Sequence, residues 1–168
     1  LGEVATLVRS PIAAAPAFSS VAAGSLTALW DSNGNAAGTQ YRAKLSTASP
    51  LVETHAGNVS VTTTSYGAPG ADFSGLLADT SYTLFVQAFN RGGLPTAFVG
   101  LGSAVTLANP PAAPAAPFTE VGLQASTAAW SANNNGPGTL YEAVFSTASP
   151  LVPTHAGNVT VSTRPEGA

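Results

Sequence analysis

The chain has 168 residues, of which only 8% are charged, a net charge of −3 and no cysteine. So sparse and slightly negative a charge set offers nothing to a phosphate backbone, which excludes nucleic acid as the expected partner. No apolar run approaches the ~20 residues of a bilayer span, and no disulfide framework can form.

Residues 1–18 (LGEVATLVRSPIAAAPAF) align with residues 101–118 (LGSAVTLANPPAAPAAPF), and the shift of one hundred continues through the chain without a gap. Trp30 meets Trp130, Tyr41 meets Tyr141, Pro50 meets Pro150 and Val61 meets Val161. A period that long exceeds a helical solenoid repeat and fits a tandem array of whole β-domains. Residues 1–9 are then expected to be the last strand of a preceding repeat. Residues 10–17 and 109–117, rich in alanine and proline, read as semi-rigid linkers. Residues 18–108 form one complete domain, and residues 118–168 the first half of another.

Within the complete domain the apolar period is two. SLTALW (residues 25–30) alternates Leu26, Ala28 and Trp30, and TQYRAKLS (39–46) alternates Tyr41, Ala43 and Leu45. NVSVTT (58–63) offers Val59 and Val61; SYTLFVQAFN (81–90) aligns Tyr82, Leu84, Val86 and Ala88; FVGLGSAVTL (98–107) supplies the last strand. The stretches DSNGNAAG, YGAPGAD and NRGGLP between them are turn chemistry. Short strands punctuated this way predict an all-β chain folded as an antiparallel β-sandwich.

SLTALW, then YRAKL, then GLLADTSYTLFVQAFNRGG resembles a fibronectin type III domain over residues 18–107. That family has a tryptophan ending its second strand, a tyrosine opening its third, and a Gly-Leu-x-x-x-Thr-x-Tyr corner leading to Ala-x-Asn and a glycine turn. Gly75, Leu76, Thr80, Tyr82, Val86, Ala88, Asn90 and Gly92 occupy those places in order, with Ala78 where the family usually has proline. The resemblance implies an immunoglobulin-like sandwich whose structural core includes Trp30, Tyr41, Leu76, Tyr82, Leu84 and Val86, with Trp130 and Tyr141 as counterparts. It implies a Tyr82 ring that fills the core edge while its hydroxyl satisfies a backbone group. In the second copy, which has no counterparts of residues 73–107, Trp130, Tyr141 and Phe145 are expected to be exposed beside open sheet edges.

Nothing in the sequence assembles a catalytic centre. His55 and His155 recur inside STASPLVETHAGNVSV and STASPLVPTHAGNVTV, but neither copy adds a second histidine, a cysteine or a carboxylate at ligand spacing, and Glu53 becomes Pro153. No nucleophile stands beside a base with an orienting third group. Asp31, Asn33 and Asn35 imitate the start of a calcium loop, yet the second copy loses the aspartate and no distal glutamate follows, so they read as turn residues. NRGGLP lacks the aspartate of an integrin motif. Asn58 and Asn158 satisfy the N-glycosylation pattern, which matters in a secreted chain.

The expectation is a non-enzymatic protein without cofactor or metal, located outside the cell or on its surface, of the bacterial secreted-repeat type. A single lysine, Lys44, and a wealth of Ala, Ser, Thr, Gly and Asn suit an exposed fibre. Its partners would be copies of itself, joined through strand edges and apolar faces. Two other roles compete: an adhesion module holding a glycan or protein in loops 31–38 and 91–95, and a spacer in a larger secreted carbohydrate-active enzyme.

Overall fold

Two short apolar-alternating sheets that bury one face each have no stable option except each other. The computed structural model, which describes residues 6–64 and 69–163, divides accordingly into a unit spanning Leu1–Ala108 and a unit spanning Asn109–Ala168.

The first unit is an antiparallel β-sandwich. Strands β1 (Ile12–Ser19), β2 (Ser25–Asp31) and β5 (Gly70–Ser74) form one sheet in the order β1-β2-β5. Strands β3 (Gln40–Ser46), β4 (Val59–Thr64), β6 (Ser81–Phe89) and β7 (Val99–Val105) form the other in the order β4-β3-β6-β7. Register follows the apolar period: Tyr41 sits opposite Ala88, Ala43 opposite Val86 and Leu45 opposite Leu84, so six inward side chains meet in one seam. Within the other sheet, Leu26 pairs with Phe73 and Ala28 with Ala71. Trp30, Tyr41, Leu45, Phe73, Leu84 and Val86 are all buried, and the Trp30 and Tyr41 rings meet edge-on with centroids 5.7 Å apart.

The sheet's outer face carries its own order. Lys44 is only 8% exposed; its Nζ lies 3.2 Å from Glu53 Oε2 and 5.0 Å from the centre of the Phe98 ring. The second copy replaces both partners at once, with Val144 and Pro153, so cation and anion leave together.

Two expectations need correction. The stretch at 10–17 is no linker: Pro11 is fully buried and residues 12–17 belong to β1, where Ile12 faces Asp31 and Phe18 faces Ala28. Proline is tolerated there because β1 is an edge strand with one neighbour, so a missing N–H breaks no second ladder; the register slips between Ala13 and Phe18. The stretch at 109–117 likewise pairs with its own unit, Ala112 exchanging both backbone bonds with Ser131. Of residues 1–9, expected as a strand of a preceding repeat, residues 1–5 lie outside the described residues. Residues 6–9 run without strand structure along the first unit, where Val8 packs on the core and Asn90 Nδ2 donates to the Thr6 carbonyl at 3.3 Å.

One strand hid in an apparent turn. YGAPGAD contains the start of β5, and Gly70 is required there because a Cβ would come 2.9 Å from Leu29 Cδ2 and 3.0 Å from the Ala28 carbonyl.

The second unit contains β8 (Phe118–Val121) paired with β9 (Ser126–Ala128), and β10 (Tyr141–Phe145) paired with β11 (Val159–Thr163). The β10–β11 register matches the one a hundred residues earlier, Ala143 facing Val161 as Ala43 faces Val61; Phe118 faces Ala128 as Phe18 faces Ala28, but β8–β9 then slips by one residue, Glu120 facing Thr127 where Ser19 faces Thr27. Its core differs from expectation in two ways. Trp130 is half-buried rather than core, whereas Tyr141, only 6% exposed, is enclosed by local contacts, including the Trp130 ring at 5.9 Å. Among the described residues no helix is long and apolar enough to cross a membrane.

Candidate functional site

The loop joining β2 to β3, residues 32–39, is built on left-handed backbone: φ is 54° at Asn33, 76° at Gly34 and 85° at Gly38. Asparagine and glycine carry that conformation at least cost. Asp31 Oδ1 accepts from the Asn33 N–H at 2.6 Å and closes the turn. The two asparagine side chains are thereby aimed at the chain entering the unit. Asn33 Nδ2 donates to the Ser10 carbonyl at 3.0 Å. Asn35 makes a two-point contact with Arg9: its Oδ1 accepts from the Arg9 N–H at 2.8 Å and its Nδ2 donates to the Arg9 carbonyl at 2.8 Å. A carboxamide presents a donor beside an acceptor and can answer both backbone groups of one residue; a carboxylate cannot.

The second unit repeats this clamp. Asn133 Nδ2 donates to the Pro110 carbonyl at 2.9 Å, and Asn135 pairs with Asn109 through bonds of 2.6 and 2.9 Å. Sequence reasoning took these residues for turn formers and missed the clamp. The available signal was selective recurrence: Asn33 and Asn35 return as Asn133 and Asn135, while Asp31, Gly34 and Ala36 do not return. On the side of the first unit, the backbone of Leu107 is also held, donating to the Ala22 carbonyl and accepting from the Asp79 N–H, both at 3.1 Å. Ala108 is the one residue between Leu107 and the clamped Asn109.

Against the clamp of the second unit lies the tyrosine that opens β10. The Tyr141 hydroxyl accepts from Asn135 Nδ2 at 2.9 Å and donates to the Ala132 carbonyl at 3.2 Å. In the first unit burial pushes the Tyr41 phenol above its ordinary pKa, Asp31 adding to the rise while Asn35 and Thr39 oppose it. The phenol is neutral until it ionises, so the unfolded chain, titrating near pH ~10, loses this proton first. Stability from this group is therefore constant below that pH and falls as pH rises toward the folded value. Urea midpoints for wild type and Tyr41→Phe measured at pH 8 and 11 should show a larger alkaline loss in the wild type; equal losses would refute the assignment.

Loops 31–38 and 91–95, both considered as binding loops, do come together. With the segment at 6–9 they border a depression of about 830 Å³ whose polar lining includes Arg9, Asn35, Gln40, Asn90 and Arg91. The histidine loops do not join it. His55 and His155 are exposed in the β3–β4 and β10–β11 loops; His55 Nδ1 accepts from the Gly57 N–H at 3.0 Å, and His155 Nε2 lies 2.8 Å from Thr147 Oγ1. Among the described residues no three histidine, aspartate or glutamate side chains gather as a metal site.

The candidate glycosylation residues act inside those same loops. Asn58 Nδ2 donates to the carbonyls of Val52 and Glu53 at 2.9 and 3.0 Å, and Asn158 Nδ2 to those of Val152 and Pro153 at 2.9 and 3.1 Å. A glycan on that nitrogen would displace one of the two bonds.

No family model matches the chain, and no curated protein does. Among solved structures, it is similar to a crystal structure of titin domains A168–A170, with a TM-score of 0.46 and 20% identity over 62% of this chain and 34% of that one. A myokine structure is similar with a TM-score of 0.43 and 13% identity, covering 60% of this chain and 97% of that one. The chain therefore spans about a third of the titin structure's length.

Proposed function

We propose that the chain is a non-enzymatic structural repeat protein, a segment or subunit of a fibre outside the cell or on its surface. It is built from tandem sandwiches and associates through strand edges and apolar faces. The observation that carries this reading is the duplicated clamp: Asn35 on Arg9 and Asn135 on Asn109. Each unit fastens its own lead-in, so units of this kind can be joined in series. The low share of charged residues favours association over dispersal.

The test is electron microscopy of the concentrated protein together with sedimentation over a wide concentration range. Filaments or concentration-dependent assemblies are expected. Particles that remain single chains throughout would overturn the fibre reading.

A second reading, a binding module, draws on the depression of about 830 Å³ bordered by Arg9 and Arg91. Its volume lies within the range of small-ligand sites. Glycan-array binding abolished by Arg91→Ala would support it.

A further inference from the structure

The chain has only five lysine and arginine residues against eight acids. Lys44 is committed to Glu53 and Phe98, and the Arg42 guanidinium lies 5.3 Å from the centre of the Phe89 ring. Arg9 and Arg91 are exposed, and among the described residues neither guanidinium has a carboxylate or hydrogen-bonding partner. Both border the depression of about 830 Å³ in the first unit, whose described lining holds no aspartate or glutamate. Two unpaired cations on one concavity give it a positive potential that concentrates anions. The walls around them are already fixed. Asn35 commits both ends of its carboxamide to the Arg9 backbone, and Thr39 Oγ1 donates to the Ala36 carbonyl at 2.7 Å. Asn90 Nδ2 donates to the Thr6 carbonyl at 3.3 Å while its Oδ1 accepts from the Leu94 N–H at 2.8 Å. Arg9, Arg91 and the exposed carboxamide of Gln40 are what these bonds leave uncommitted.

The match at a shift of one hundred residues separates scaffold from uncommitted groups. Asn33, Asn35, Gly38 and Thr39 return as Asn133, Asn135, Gly138 and Thr139, whereas Arg9, Gly34 and Gln40 stand as Asn109, Asn134 and Leu140. Arg9 and Gly34 change together for a steric reason. A Cβ on Gly34 would stand 3.6 Å from Arg9 Nη1, so the guanidinium lies over the space a longer side chain would take. We propose that the depression binds an acidic saccharide, its carboxylate held by Arg9 and Arg91 and its neighbouring hydroxyls met by Gln40. A guanidinium presents paired N–H donors that fit the two oxygens of a carboxylate, and a carboxamide offers a donor beside an acceptor. Strands reach the depression only by their ends, at Gln40, Thr64 and Phe89. No run of free backbone donors therefore lies along it for an extended peptide, and a compact, hydroxyl-rich ligand is the better match. The proposal rests on the binding-module reading and names the ligand class of that site.

The experiment titrates tri-galacturonic acid into the full chain by calorimetry, beside its neutral methyl ester and beside triglutamate. Saturable one-to-one binding of the acid is expected, with the ester and the peptide each weaker by about tenfold or more. Arg9→Gln and Arg91→Gln should each weaken the acid by about the same factor, since each removes a charge-assisted contact. Both side chains are exposed, and Asn35 holds Arg9 through its backbone, so the fold is kept. Gly34→Asn, which places the residue of the second copy against the guanidinium, should weaken binding as well. Thr160→Glu alters the net charge by the same amount on an exposed site of the second unit and should change nothing. Binding of the ester or of triglutamate as tight as the acid overturns the assignment, as does an equal loss in Thr160→Glu. The two readings fail separately. Neutral sugars captured on the array through Arg91, with tri-galacturonic acid unbound, would leave the binding module standing without this ligand class; a blank array and a flat titration would remove both.

Discussion

Trp30→Ala is expected to lower the stability of the first unit by about 3–5 kcal/mol, the range for removing a large buried aromatic. The indole is 2% exposed, lies at the end of β2 and meets the Tyr41 ring edge-on, so truncation leaves a cavity that neither sheet can collapse to fill. A small domain holds only about 5–15 kcal/mol in all, and the variant should therefore unfold at far lower denaturant or be partly unfolded at 37 °C. Trp130→Ala should cost less than that because Trp130 is only partly buried. Guanidinium titrations followed by circular dichroism distinguish the two. Equal effects would show that the local frame and not the enclosing strands determines what the tryptophan contributes.

The second large effect is expected at the corner between β5 and β6. The Tyr82 hydroxyl accepts from the Leu77 N–H at 3.0 Å, as the family resemblance implies for this position. Thr106, 2% exposed, ties the same corner from the other side: its Oγ1 donates to the Leu77 carbonyl at 2.6 Å and accepts from the Thr80 N–H at 3.0 Å. Tyr82→Phe and Thr106→Val each remove a partner and keep the shape, leaving partly buried backbone groups without one. Each should cost about 1–3 kcal/mol, the desolvation penalty of an unmatched polar group. Because both act on Leu77, the double variant should lose less than the sum. Strict additivity in urea midpoints would mean that the corner does not act as one unit.

Much of the fold could be read directly. Strands β2, β3, β4, β6 and β7 were found within a residue or two because each buries one face, and period-two apolar spacing records that burial. Strands β1 and β5 were not, for a common reason. Proline and glycine dominate them and carry a turn or linker signal, yet β1 is an edge strand that tolerates proline, and Gly70 in β5 is there to let Leu29 approach. Edge position and close approach are relations between distant segments, and local composition does not record them.

The candidate site divides the same way. That the loop at 32–39 needs positive φ followed from its asparagines and glycines; that Asn35 holds Arg9, twenty-six residues away, did not. Thr106 and Leu77 are similarly remote in sequence and adjacent only in the fold. By itself the sequence pointed to an all-β chain, showed that it matches itself at a shift of one hundred residues, and marked which side chains are able to form a core. Only the tertiary structure decided which of them do so: Trp30 and Tyr41 are enclosed once β5 pairs onto β2 and β6 onto β3. Burial is a property of what packs on a residue, and the packing partners here come from strands forty to seventy residues downstream.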